Sequence, residues 1–458
     1  MSAARSQRLL DPLFTTEKMR GIFSDHGRLQ GMLDFEAALA RAEARAGILP
    51  SAAASAIASQ CRADAFDLES IANAAALAGN PAIPLVRELT SRVAAKNTEA
   101  ARFVHWGATS QDAMDTGLVL QLRAALEAIG ADLERLAVAL ASLAQKHART
   151  PLVGRTWLQQ GPPVTLGLKA AGWLSAVERH RARVAQVRAE VAVLQFGGAV
   201  GTLAALGEQG MQIATDLAAE LELQLPDLPW HSQRDRIAAV ATTLGLLVGT
   251  LGKIARDVSL LMQTEIAEAL EPTAPGRGGS STMPHKRNPV GSAVILAAAT
   301  RVPSLVAIML GAMVQEHERG LGGWHAEWET LPEICLLTAG ALARAIEIVG
   351  GLEVDAKKMA ADLDTTHGLI MAEAVSIALA AHLGRESAHE LVENACRLAV
   401  RKKKHLREIL AADARVAKHL SGTELDQALD PARYTGQAQD FIARTLAARR
   451  GKPAGKKS

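Results

Sequence analysis

Ser280, Lys286 and Asn288 fall in one short segment, Gly278-Gly279-Ser280-Ser281-Thr282-Met283-Pro284-His285-Lys286-Arg287-Asn288-Pro289, whose composition suits neither a helix nor a strand. A hydroxyl, a point positive charge and a neutral amide donor on one glycine-rich loop suit a reaction in which a carboxylate gains a second negative charge. Flexible Gly-Ser linkers seldom end in Met-Pro-His-Lys-Arg-Asn-Pro, so the loop reads as functional, with Ser281, Met283 and His285 beside the central three. A second constellation is Phe103-Val104-His105-Trp106-Gly107-Ala108-Thr109-Ser110-Gln111-Asp112, where two hydroxyls precede a long apolar pattern. Free backbone N–H groups at a helix start bind carboxylate or phosphate, and Thr109 and Ser110 would add to them. The third is Gly154-Arg155-Thr156-Trp157-Leu158-Gln159-Gln160, with Arg155 as a carboxylate fork and Thr156 and Gln159 as neutral donors. Taken alone, the second reads first as an ordinary N-cap and the third as a polar inter-helix loop.

Two other patterns carry less. Gly197-Gly198-Ala199-Val200-Gly201 has the glycines of a phosphate loop but no strand before it. His317-Glu318 and His325-Ala326-Glu327 lack the spacing that sets two imidazoles on one helical face. Neither a dinucleotide nor a metal is expected, and no cofactor is called for.

The elements that must position these segments are helices. Hydrophobic residues make up 49% of the 458 but aromatics only 3%, so alanine and leucine fill the core, as in close-packed helices. Leu33 to Ala46 has helical spacing. A long helix is expected from Thr109-Ser110, with Asp112 three residues on as a capping partner, to about His147. Gly154 to Gly167 interrupts the pattern, with Pro162-Pro163 placed to open the next helix, which reaches about Leu194 before Phe196-Gly197 interrupts it. Ile237 to Ala267 and Val290 to Val314 are apolar nearly all round, which belongs inside a bundle or at a subunit interface. The expected class is all-α, with an N-terminal helical domain (1–108), a central long-helix domain (109–353) carrying the loop 271–289, and a small C-terminal helical domain (354–458) ending in a basic tail.

A net charge of +2 exerts no pull toward nucleic acid or a membrane. The run Leu244 to Ile254 is closed by Lys253, Arg256 and Asp257, short of a membrane span. Cys61, Cys335 and Cys396 are far apart and unsuited to a disulfide framework, so a reducing cytoplasm is expected.

The loop 278–289 matches the signature GSSxMPxKxNP, and all three constellations occur in the order and approximate spacing of the fumarase/aspartase superfamily, which the chain resembles over nearly its whole length. The resemblance implies a three-domain fold whose long helices form a 20-helix core in a homotetramer, with each active site drawn from three subunits. It also implies that Ser280 handles a carbon-bound proton and that Lys286 and Asn288 stabilise the carboxylate intermediate. Many relatives carry a histidine after the threonine of the second segment and a glutamate seven residues after the signature lysine. Here those positions hold Trp157 and Ala293.

That histidine serves leaving groups such as hydroxide or an amine, which need a proton; a carboxylate, with a pKa near ~4, does not. The resemblance therefore narrows to members that close or open a lactone on a conjugated tricarboxylate. Phe14 to Arg20, Gly31 to Ala37, Gly79 to Leu85 and Trp324 to Glu329 support that branch. Arg155, Arg234, Arg236, His285 and Lys286 are the cations available for three carboxylates, His105, Thr109 and Ser110 would line the site, and Trp157 would fill the space of the missing histidine. An amine-eliminating lyase of the adenylosuccinate type is the alternative, and a catalytically silent protein on the same scaffold is a remote one.

Overall fold

Alanine- and leucine-rich sequence closes into helices along most of the chain in the computed structural model, which describes residues 8–276, 278–279, 282–283 and 285–451. The elements that bear on function are, in order, α1 (Asp25–Arg45), α2 (Ser110–Lys146), β1 (Pro151–Thr156), β2 (Gln159–Thr165), α3 (Leu166–Val191), α4 (Asp235–Leu261), β3 (Ala269–Leu270), α5 (Val290–Gly311), α6 (Gly323–Gly350), β4 (Glu353–Val354) and α7 (Arg385–Lys402). The chain divides into two compact units. The first comprises Met1–Glu134, His180–Gly252 and Val294–Arg344, and the second Arg135–Arg179, Lys253–Ala293 and Ala345–Ser458. They interleave in sequence because each of α2 to α6 supplies residues to both.

In the first unit, Ser24 caps α1 by accepting from Gly27 N–H, and the helix buries Met32, Leu33, Phe35 and Leu39. Burying each such side chain contributes about 1.5–3 kcal/mol. Phe35 meets Phe196 with ring centroids 6.2 Å apart. Alpha-helices α1 and α2 approach so closely that a Cβ on Gly31 would lie 2.8 Å from the Gly117 carbonyl oxygen, which only glycine permits.

The second unit has one core around Leu152, Leu166, Leu261, Ala269 and Met359. Another, within residues 369–429, gathers Val375, Leu379, Leu391, Val392, Leu406, Leu410 and Leu425 about α7.

The all-α expectation holds, with one local correction. Residues 151–165 form an antiparallel hairpin, so Pro162 and Pro163 lie in β2, and the helix opens only at Leu166. Alternation did not reveal it because Leu152 and Val153 are both buried and the register shifts at Val153/Gly154. A two-stranded ribbon has only edge strands, where proline costs no central ladder bond.

Two helices, α4 and α5, are long and apolar enough to cross a membrane, which the charge-bounded run 244–254 did not indicate. The most apolar window of α4 is 56% buried inside the chain, whereas that of α5 is 22% buried.

Candidate active site

In the first unit the start of α2 is a junction of three segments. Thr109 and Ser110 are half-buried there. Asp112 closes half of the expected capping box by accepting from Thr109 N–H at 3.0 Å. The Thr109 hydroxyl is engaged elsewhere, as acceptor for Arg319 Nη2 at 3.0 Å. The same nitrogen donates to the Ala199 carbonyl at 3.1 Å, while Arg319 Nε is buried with no hydrogen-bond partner. A guanidinium held at a helix N-terminus with donors to spare can bind a carboxylate.

His105 sits in the left-handed region at φ 60 and contacts Glu36 of α1 through Nδ1 at 2.6 Å. Burial works against its charge, but the Glu36 carboxylate, by charge and by hydrogen bond, and then Asp112 outweigh it and hold His105 above its ordinary value.

Arg234, expected at a substrate carboxylate, is instead closed into an ion cluster and only 2% exposed. Its Nη1 and Nη2 form a fork on Asp115 at 2.7 and 3.0 Å, and Nε reaches Glu327 at 3.0 Å. Trp324 Nε1 also donates to Asp115, and the guanidinium stands 5.0 Å from the Trp230 ring. Burial lowers the pKa of such a group, yet Asp115 and Glu327 raise it further, so Arg234 is permanently charged and already neutralised. Arg236, in the first turn of α4, is half-buried.

In the second unit the β1–β2 hairpin carries Arg155, Thr156, Trp157 and Gln159. Arg155 is forked onto fully buried Glu268 at 2.8 and 2.9 Å, leaving its own side chain 22% exposed. Thr156 and Gln159 pair across the tip and are exposed. Trp157 and Leu158, at φ 53 and 63, form the turn, with Trp157 98% exposed.

The signature loop is tied at its ends: Asn288 N–H donates to the Gly278 carbonyl at 2.9 Å, and Lys286 N–H to the Met283 carbonyl at 3.0 Å. Arg287 braces it against Glu353 and the Glu271 carbonyl, and the Glu271 carboxylate accepts the Gly291 and Ser292 N–H groups that open α5. Met283, His285 and Lys286 are exposed and Asn288 half-buried. Ser280 and Ser281 lie outside the described residues.

The site residues thus fall into two sets. His105, Thr109, Ser110, Arg234 and Arg236 belong to the first unit, and Arg155, Thr156, Trp157, Gln159, Met283, His285, Lys286 and Asn288 to the second. Sequence reasoning missed Arg319 and Glu36. The one signal for Arg319 was a lone arginine in a glycine-bearing loop, Glu318-Arg319-Gly320, beside histidines weighed only as metal ligands. Among the described residues no group of three or more His, Cys, Asp or Glu is placed to hold a metal ion.

The chain matches the Lyase family over residues 14–304 and the Adenylosuccinate lyase C-terminus family over residues 368–445. It is 60% identical to 3-carboxy-cis,cis-muconate cycloisomerase of Pseudomonas aeruginosa, across 98% of this chain and 97% of that one. To the enzyme of that name from Acinetobacter baylyi it is 48% identical, across 97% and 99%. The crystal structure of 3-carboxy-cis,cis-muconate lactonizing enzyme from Pseudomonas putida superposes with a TM-score of 0.94 at 57% identity, covering 97% and 99% of the two chains.

Proposed function

We propose, for a chain that belongs to the lyase family matched over residues 14–304, the conversion of 3-carboxy-cis,cis-muconate to 4-carboxymuconolactone. The 60% identity to a cycloisomerase over 98% of the chain carries this reading. Trp157 and Ala293 agree with it, because a carboxylate that leaves in the reverse direction needs no proton from a His–Glu pair. The adenylosuccinate-lyase match covers only residues 368–445, which hold none of the site residues, and so does not favour amine elimination.

In the forward direction a substrate carboxylate oxygen bonds to the distal alkene carbon. The π electrons move toward another carboxyl group, giving an aci-carboxylate stabilised by Lys286 and Asn288. Ser280 delivers a proton to the adjacent carbon and recovers one from solvent. Thr109, Ser110 and Arg319 hold a second carboxylate at the start of α2, with His105, paired to Glu36, a few residues before them in the chain. Arg236, Thr156, Gln159, Ser281, Met283 and His285 line the site. Arg234 and Arg155, already paired with carboxylates, hold the scaffold instead of clamping substrate.

The active species is a homotetramer with each site shared by three subunits. The apolar window of α5, only 22% buried within one chain, supports that assembly, as does the exposed Trp157. The division into 1–108, 109–353 and 354–458 is retained as the domain plan. The free thiols Cys61, Cys335 and Cys396 accord with a cytoplasmic location.

The test is to mix the purified protein with 3-carboxy-cis,cis-muconate and follow loss of diene absorbance in the ultraviolet, identifying the product by mass and NMR. Lactone formation is expected. An unchanged spectrum from folded, tetrameric protein would sink the assignment.

A further inference from the structure

We propose that Asp112, together with His231 and the glycine segment 197–199, is a positioning strut that fixes where Arg319 and Thr109 meet a substrate carboxylate. The inference rests on the lactonising reading for the identity of that carboxylate.

Asp112 is fully buried in the first turn of α2. An N-capping role needs one oxygen and a donor or two from its own helix start. Asp112 instead collects donors from three separate segments. Its Oδ1 accepts from Gly197 N–H at 3.0 Å and His231 Nε2 at 2.7 Å, and its Oδ2 from Gly198 N–H at 2.9 Å and Thr109 N–H at 3.0 Å. One residue beyond Gly198, the Ala199 carbonyl accepts from Arg319 Nη2. One residue beyond His231, the Ser232 hydroxyl donates at 2.7 Å to the carbonyl of His317, two residues before Arg319 and itself in the left-handed region at φ 47.

The bonds therefore close a ring. Asp112 holds the 197–199 segment, which holds the guanidinium through Ala199, and it holds His231-Ser232, which pins the backbone leading to Arg319. The guanidinium returns to the start of α2 through the Thr109 hydroxyl. The buried Arg319 Nε has no hydrogen-bond partner, so the ring orients a guanidinium whose donors are not all satisfied within the chain.

The ring also gives Gly197-Gly198-Ala199-Val200-Gly201 a purpose that a phosphate-loop reading did not. Gly198 has φ 69, and a Cβ there would lie 2.9 Å from the Gly107 carbonyl oxygen, so the segment can reach Asp112 only as glycine.

The experiment uses the full-length protein with Asp112→Asn, His231→Leu and the conservative His231→Gln, each checked for folding by circular dichroism and for assembly by sedimentation. Asp112→Asn and His231→Leu should raise KM for the muconate at least tenfold while kcat changes less than threefold. His231→Gln, which keeps an N–H donor, should restore KM to within about threefold. Calorimetric affinity for tricarballylate, a saturated tricarboxylate, should weaken tenfold in the same two variants. Folded variants with unchanged KM and unchanged tricarballylate affinity would overturn the strut. So would His231→Gln behaving like His231→Leu. A wild-type protein that binds tricarballylate but leaves the muconate untouched would remove the lactonising reading alone, and the strut would then stand or fall on the calorimetry.

Discussion

Glu43 offers a measurement whose size follows from the structure. It lies on α1 with 0% exposure, and neither carboxyl oxygen has a hydrogen-bond partner. Burial, and then the nearby Glu36 carboxylate, push its pKa from 4.5 up to about 9. A carboxyl raised in the folded state binds its proton more tightly there than in the unfolded chain. Below pH 4.5 both states are protonated and folding bears no penalty. Between 4.5 and 9 the unfolded chain ionises while the folded one does not, and stability falls by about 1.4 kcal/mol per pH unit. From pH 5.5 to 8.0 this one group should remove roughly 3 kcal/mol. Glu43→Gln keeps the shape and a polar tip but cannot ionise. Urea unfolding at both pH values, at one fixed protein concentration, should therefore show the variant gaining roughly 3 kcal/mol on the wild type between 5.5 and 8.0. Other titrating groups cancel in that difference. An equal gap at both pH values would mean that Glu43 ionises at its ordinary pKa in the folded protein.

Three other outcomes are expected. Ser280→Ala should abolish turnover while lactone binding, read by calorimetry, stays within about threefold; near-normal turnover would remove the serine from proton transfer. Trp157→His combined with Ala293→Glu restores the residue types of the missing pair and should not accelerate lactone opening, measured by diene appearance, since a carboxylate leaves unaided; a large gain would contradict the leaving-group argument. Ile308→Arg, on the face of α5 where Ile308 is 46% exposed, should shift sedimentation to smaller species and cut activity at least tenfold. A fully active monomer would refute shared sites.

Some of this was legible in the residues and some was not, and the division is physical. The long helix at 110–146 was readable to within a residue or two, because a hydroxyl start and helical apolar spacing are local signals. The signature loop was readable because glycine, serine and proline stand out between apolar helices. The hairpin was not, since prolines and a register shift hide a strand whose neighbours are close in sequence. Ion partners were the least accessible. Arg234 finds Asp115 across 119 residues and Arg319 finds Thr109 across 210, and no local pattern records such pairings. An arginine in a sequence looks equally ready to bind substrate or a buried carboxylate; only the fold separates Arg234, closed in its cluster, from Arg319, with a donor to spare.

The hairpin tip carries the argument furthest toward assembly. A two-residue turn with both central residues in the left-handed region is the conformation that favours Asn-Gly, because a Cβ there costs about 1–2 kcal/mol per residue. Here the positions are Trp157 and Leu158, two of the bulkiest choices, and within one chain they are 98% and 75% exposed. The described residues of one chain leave this apolar area uncovered. We propose that the tetramer covers this tip, with Trp157 entering a site in another subunit. On the lactonising reading, the tip presents an indole wall beside a departing carboxylate that needs no proton.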